Sequence, residues 1–152
     1  MTFLETPSCF LAIPTDDRFE PVRKAILQGL EGSNIRVLEA ATLPGTRPSA
    51  LRGAAAGRFV ERADLVIADV TGGDRAILYE LGAADALRKP TLIIAQEHSD
   101  VPEELSRLQV ILYKPDDVLS PPGSSSELTD HVRHWVRTTL SLQLRKFESR
   151  VS

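Results

Sequence analysis

One cysteine, Cys9, is all that the 152 residues contain. An internal disulfide framework is excluded, and a reducing compartment suits the chain. Set in an apolar stretch, Cys9 reads as a small buried hydrophobe. No apolar run approaches the roughly 20 residues that a membrane helix needs. The start of the chain has no basic segment followed by a long apolar one, so no signal peptide is read and a cytoplasmic protein is expected. Net charge is −3, which gives no global basic field to draw nucleic acid or an anionic membrane. There is no Walker loop, no dinucleotide fingerprint and no nucleophile elbow. His98, His131 and His134 show no metal-ligand spacing with cysteine. His131 and His134, three apart on a helix pattern, read as a solvated face, and no metal is expected. No internal repeat or long heptad array is seen.

What remains is the pattern of one ordinary α/β domain, 42% hydrophobic and 26% charged. Apolar runs at Ser8 to Ile13, Ile35 to Leu38, Leu65 to Val70, Thr91 to Ala95 and Gln109 to Tyr113 read as strands. Helical spacing of Val22, Ala25, Ile26 and Leu30 follows Pro21, which suits a first helical turn, and Gly32 marks the stop. Residues 50–62 also look helical. Another helix is read from Ile77 through Leu87. Glu127 to Phe147 carries a long amphipathic pattern, with Leu128, Val132, Trp135, Val136, Leu140 and Phe147 largely on one face. Strands alternating with helices argue for a parallel sheet covered on both faces. The expected architecture is a flavodoxin-like, three-layer sandwich whose five parallel strands run in the order 2-1-3-4-5. The expected organisation is an α/β domain over 8–118, a flexible Pro/Gly/Ser connection over 119–126, and a helix over 127–148 that packs on the domain or at an interface.

The chain is organised around Ala63 to Gly82. Strand Leu65 to Val70 ends at Asp69, Thr71-Gly72-Gly73-Asp74 forms a turn, and a helix follows. In open α/β sheets ligands bind outside the carboxyl ends of the strands, so this turn is a candidate site. It holds two carboxylates, Asp74 and Glu80. Paired carboxylates of this kind serve nucleophilic and general acid–base catalysis, as in glycoside hydrolysis.

The segments Ala63-Asp64-Leu65-Val66-Ile67-Ala68-Asp69-Val70-Thr71-Gly72, Tyr79-Glu80-Leu81-Gly82 and Ala86-Leu87-Arg88-Lys89-Pro90 resemble the nucleoside 2-deoxyribosyltransferase-like family, which overlaps in fold and pattern with bacterial TIR-like domains. The resemblance extends over about residues 8–115. It implies a flavodoxin-like fold and cleavage of an N-glycosidic bond between a ribose-type sugar and a base. It implies Glu80 as the catalytic glutamate and Asp74 as the acid that handles the base. The family commonly carries an Asn-Pro-Asn-Val type segment where this chain has Asp74-Arg75-Ala76-Ile77, and that departure bears on substrate choice and activity.

The candidate catalytic residues are thus Glu80 and Asp74. The candidate substrate-binding residues are Pro14, Asp16, Phe19, Asp69, Thr71, Gly72, Gly73 and Tyr79. Each has a plainer reading. Glu80 in a first helical turn is favourable there whatever it does. Asp74 suits a helix N-cap, and Asp69 suits a loop cap. Tyr79 suits a half-buried place against the sheet, and Phe19 either stacks on a base or fills the core. The Gly72-Gly73 amides at the helix start could receive a phosphate.

Three functions are expected in turn. The first is a nucleoside 2-deoxyribosyltransferase-like N-glycosidase. The second is a TIR-like NAD hydrolase acting as effector of a signalling or antiphage defence system. The third is an inactive nucleotide-sensing module, with Arg75 on a phosphate. No cofactor is required in these readings, NAD or a nucleotide being substrate or ligand. The expected partners are a small nucleoside or nucleotide and further copies of the chain, or a larger chain or signalling complex.

Overall fold

The computed structural model describes residues 6–39, 59–119, 121 and 124–151, with side chains through residue 145. Five strands form one sheet: β1 (Ser8–Ala12), β2 (Arg36–Glu39), β3 (Leu65–Asp69), β4 (Thr91–Ala95) and β5 (Gln109–Leu112). Every pairing is parallel and the order is β2-β1-β3-β4-β5. The three inner strands are buried at every position. That is why they read as unbroken apolar runs rather than alternating ones: both faces of a parallel sheet are covered. The outer strands β2 and β5 are only part-buried.

Alternation along the inner strands divides the core. Cys9, Leu11, Leu65, Ile67, Leu92 and Ile94 face one layer, which is built by α1 (Glu20–Leu30) and α3 (Glu127–Val151). Phe10, Ala12, Val66, Ala68, Ile93 and Ala95 face the other, which includes α2 (Arg75–Ala86) with Ile77, Leu81 and Ala84 inward. Val60 and Ala63 join that second layer. Residues 59–62 are helical, and the rest of the helix expected over 50–62 lies outside the described residues. Helix α1 stops where glycine allows it: Gly32 takes φ +80° just past the last turn.

Helix α3 is fastened at its start. Ser126 Oγ accepts the Thr129 amide at 3.0 Å, and Asp117 accepts the amides of Glu127 and Leu128 at 2.9 and 3.1 Å. These side chains satisfy the donors that a helix start leaves open. The Thr129 hydroxyl then donates to the Ala25 carbonyl at 2.9 Å. A Cβ on Gly29 would stand 2.8 Å from Val132 Cγ1, so the glycine lets α1 and α3 approach closely. Leu128, Val132, Trp135 and Val136 are buried, whereas Leu142 and Leu144 farther along are exposed. No helix among the described residues is long and apolar enough to cross a membrane.

The chain leaves β1 to one side for β2 and resumes on the other side with β3. Such a reversal opens a crevice beyond the carboxyl ends of β1 and β3. The segments following both strands meet there.

Candidate active site

Two cavities occupy this crevice. The smaller, of about 350 Å³, is lined by Pro14 and Asp16 after β1, by Arg23 of α1, by Glu39 at the end of β2 and by Ile77 and Glu80 of α2. The larger, of about 800 Å³, is lined by Arg18, Thr71, Gly72, Asp74, Gln96 and Leu119 among others. Pro14, Thr15, Asp16 and Phe19 belong to both, so the two adjoin.

Glu80 is 5% exposed and lies on the wall of the smaller cavity. Helix α2 puts it there. Asp74 caps that helix, its Oδ1 accepting the Ala76 and Ile77 amides at 2.9 and 3.3 Å. Ile77, Leu81 and Ala84 then face the sheet, and the turn carrying Leu81 brings Glu80 inward at the edge of that apolar stripe. The helix starts at Arg75, so Glu80 falls in its second turn and not in the first turn expected from sequence. The dipole argument for Glu80 lapses with that shift, because the effect fades beyond the first turn.

The same cavity is also lined by a paired guanidinium. Arg23 Nε and Nη2 donate to Glu39 Oε1 and Oε2 at 2.7 and 2.9 Å, and Nη1 lies 3.4 Å from Glu20. This two-point geometry is the stronger kind of ion pair, and its hydrogen bonds to Glu39 raise the Arg23 pKa. Asp16 caps the short 3-10 turn Asp17–Phe19, with Oδ1 accepting the Arg18 amide at 2.9 Å and Oδ2 accepting Arg18 Nε at 3.0 Å. The Arg18 guanidinium holds the Asp16 carboxyl below its ordinary range.

The turn after β3 is braced from within. Asp69 Oδ1 accepts the Thr71 amide at 2.9 Å, and Oδ2 accepts the Tyr113 hydroxyl at 2.6 Å. The Thr71 hydroxyl accepts the Gln96 amide at 3.0 Å. One network thus ties the ends of β3, β4 and β5. Burial pushes the Asp69 carboxyl above its ordinary pKa, hydrogen bonds from Thr71 and Tyr113 opposing the rise. Burial, reinforced by the Asp69 charge, pushes the Tyr113 hydroxyl up as well. Gly72 and Gly73 turn with φ of 79° and 67°, a region other residues avoid.

The sequence-derived candidates therefore separate. Pro14, Asp16, Phe19 and Glu80 meet at the smaller cavity. Thr71, Gly72 and Asp74 line the larger one, with Pro14, Asp16 and Phe19 again. Asp74 and Glu80 do not share one wall. Six residues of helix separate them by about 9 Å along the axis and about 120° around it. Gly73 is on neither lining. Asp69 is 0% exposed, lines neither cavity, and has both its oxygens engaged by protein groups, so it braces the loop. Tyr79 is 63% exposed and not half-buried against the sheet, because its position on α2 turns away from the Ile77, Leu81 and Ala84 stripe. Arg75 is exposed at the start of α2 and lines neither cavity. Phe19 serves core and cavity together: it is buried within the first layer while lining both spaces.

Sequence reasoning passed over Arg23, Glu39, Gln96 and Tyr113. Glu39 carried a usable signal, since it ends β2 at the same sheet edge where Asp69 ends β3. Arg23 carried none, because it meets Glu39 only once β2 is laid beside β1.

No protein-family model matches this chain, and no curated protein matches it in sequence. Solved structures do. A 2-deoxyribosyltransferase of Bacillus psychrosaccharolyticus superposes with a TM-score of 0.53 at 19% identity, over 76% of this chain and 93% of that one. A CMP N-glycosidase of Clostridium botulinum superposes with a TM-score of 0.53 at 21% identity, over 74% of this chain and 93% of the other. At such identities the likeness speaks to architecture, and the chain has the fold that the 2-deoxyribosyltransferase and the CMP N-glycosidase share.

Proposed function

We propose that this protein cleaves the N-glycosidic bond of a nucleoside or nucleotide, as a hydrolase or a base-exchanging transferase. The observation that carries the reading is Glu80: a carboxylate on the wall of a cavity at the sheet's reversal point. A pentose seated in the smaller cavity places C1′ against this group. As the bond from C1′ to the base nitrogen breaks, its electron pair leaves with the base. The Glu80 carboxylate stabilises the positive sugar or bonds to it, and water or a second base then takes its place. The base lies across Phe19, whose ring suits stacking, and reaches toward Asp74 in the larger cavity. There Asp74 is the acid that supplies the departing base with its proton.

The larger cavity favours a second reading, hydrolysis of a dinucleotide such as NAD, since it offers room for more than a base. Both readings use Glu80. Incubation with a panel of nucleosides, nucleotides and NAD, read by chromatography, is expected to show free base. Glu80→Gln is expected to lower its release by about 10²–10³-fold or more. Equal rates in wild type and variant remove the reading. Tight binding of a nucleotide without turnover favours a sensing module in its place.

A further inference from the structure

We infer that the larger cavity takes a base carrying a bulky apolar substituent, and that Leu119 is a residue that selects for it. This rests on the proposed glycosidic reading and narrows it to a class of substrate. At about 800 Å³ the cavity has the size of pockets that hold drug-sized molecules, more than a base alone fills. Its lining is divided by chemistry. Thr71, Asp74 and Gln96, which follow β3 and β4, supply polar groups. Phe19, Pro21 and Val22 at the start of α1, with Pro115, Val118 and Leu119 after β5, supply apolar ones. The apolar side belongs to the layer of α1 and α3: Phe19 and Val22 lie in its core, and Val118 packs against it. Two charged members of the lining, Arg18 and Asp16, are paired with one another at 2.9 Å. Such a chamber suits a molecule with a hydrogen-bonding edge and a hydrocarbon body.

Leu119 is 64% exposed although it lines this cavity. The short 3-10 turn that carries it, Asp117–Leu119, is fastened on both sides of that residue's neighbours. Asp117 accepts the first two amides of α3 at 2.9 and 3.1 Å, and Val118 is rooted against the core. A large apolar side chain is thereby held in water beside an open space. Hydrocarbon laid against it removes that area from solvent, which is favourable. A pyrophosphate or a second ribose is charged or hydroxylated and gains nothing from this wall, so a substituted base stands ahead of a dinucleotide.

The test titrates the full chain calorimetrically with adenine and cytosine, and with each base benzylated on its exocyclic amine. A single methylene in an apolar pocket changes selectivity by about 10–200-fold, so a benzylated base is expected to bind at least about tenfold more tightly than its parent. Leu119→Asp puts a charge on the apolar wall and is expected to shrink that ratio several-fold, through weaker binding of the benzylated base. Leu119→Ser reads the same ratio where the charge disturbs folding. Equal or weaker binding of both benzylated bases overturns the inference, and so does binding of none of the four. A folded variant with an unchanged ratio overturns it as well. The nucleosides of the same four bases separate this inference from the reading beneath it. Base released from parent and benzylated nucleosides at equal kcat/KM overturns the inference and leaves the glycosidic reading standing. Tighter binding of a benzylated base, reduced in the Leu119 variant, supports the inference even if no nucleoside releases its base, and in that case the glycosidic reading alone fails.

Discussion

Asp69 is the residue whose environment most directly sets a measurable property. Its carboxyl is buried, takes the Tyr113 hydroxyl at 2.6 Å, and sits above its ordinary pKa chiefly because burial penalises the charge. The native state therefore keeps the proton at pH values where the unfolded chain has lost it. Between the ordinary aspartate value and the raised one, the native state binds more protons, so folding stability falls as pH rises through that window. Asp69→Asn removes this dependence. Urea denaturation of both proteins from about pH 4 to about pH 7 is expected to show wild type losing stability relative to the variant as pH rises. Parallel curves would assign the slope to other groups. The residue scale is also where sequence reading reached unevenly. The place of Glu80 at the sheet-edge crevice was legible because a motif surrounds it. The bonds that Asp69 makes were not: a strand-ending aspartate reads alike whether it faces a ligand or a tyrosine 44 residues later.

At the scale of elements, the contact of α1 with α3 turns on Gly29. A methyl group there would meet Val132 Cγ1 at 2.8 Å and the Thr129 carbonyl oxygen at 2.9 Å. The second is backbone, fixed by the bond between Thr129 Oγ1 and Ala25, and cannot swing aside. Alanine gains about 1 kcal/mol in helix propensity over glycine, whereas overpacking costs about 1–3 kcal/mol. Gly29→Ala is therefore expected to lower stability on balance, as a reduced urea midpoint with unchanged slope. A more stable variant would mean that the two helices part easily. Most elements were legible from apolar runs punctuated by proline and glycine, and strand Thr91–Ala95 matches the sequence reading at both ends. Helix α2 shows where that method slips. Periodicity begins at Ile77, but the Asp74 cap starts the helix at Arg75. That displacement moved Glu80 by half a turn and changed the physics available to it.

For the molecule as a whole, α3 closes one layer of the sandwich. Its buried Leu128, Val132, Trp135 and Val136 belong to the same core as β1, β3 and β4. At about 1.5–3 kcal/mol for each large apolar side chain buried, the four together are worth about 6–12 kcal/mol, comparable to the about 5–15 kcal/mol that holds a typical domain. Deleting residues 127–152 is expected to abolish cooperative unfolding. Deleting residues 141–152, which keeps all four of these side chains, is expected to preserve a cooperative transition. Circular dichroism melts of the two truncations check this, and a folded protein lacking all of α3 would contradict it. The strand order was legible from alternation and short connections, since few topologies satisfy both. The paired cavities were not, because their volumes depend on how the segments after β1, β3 and β4 meet at the sheet edge.

One aromatic ring, Phe19, is common to both spaces in that edge and is also rooted in the hydrophobic interior. It acts as a partition between two chambers. Pro14, Thr15 and Asp16 border both chambers too, so trimming the ring widens the passage between them, while Glu80, held on α2, stays in place. On the proposed glycosidic reading, the size of molecule admitted and the chemistry performed on it are thereby set by different side chains, and a lineage can retune the first without disturbing the second.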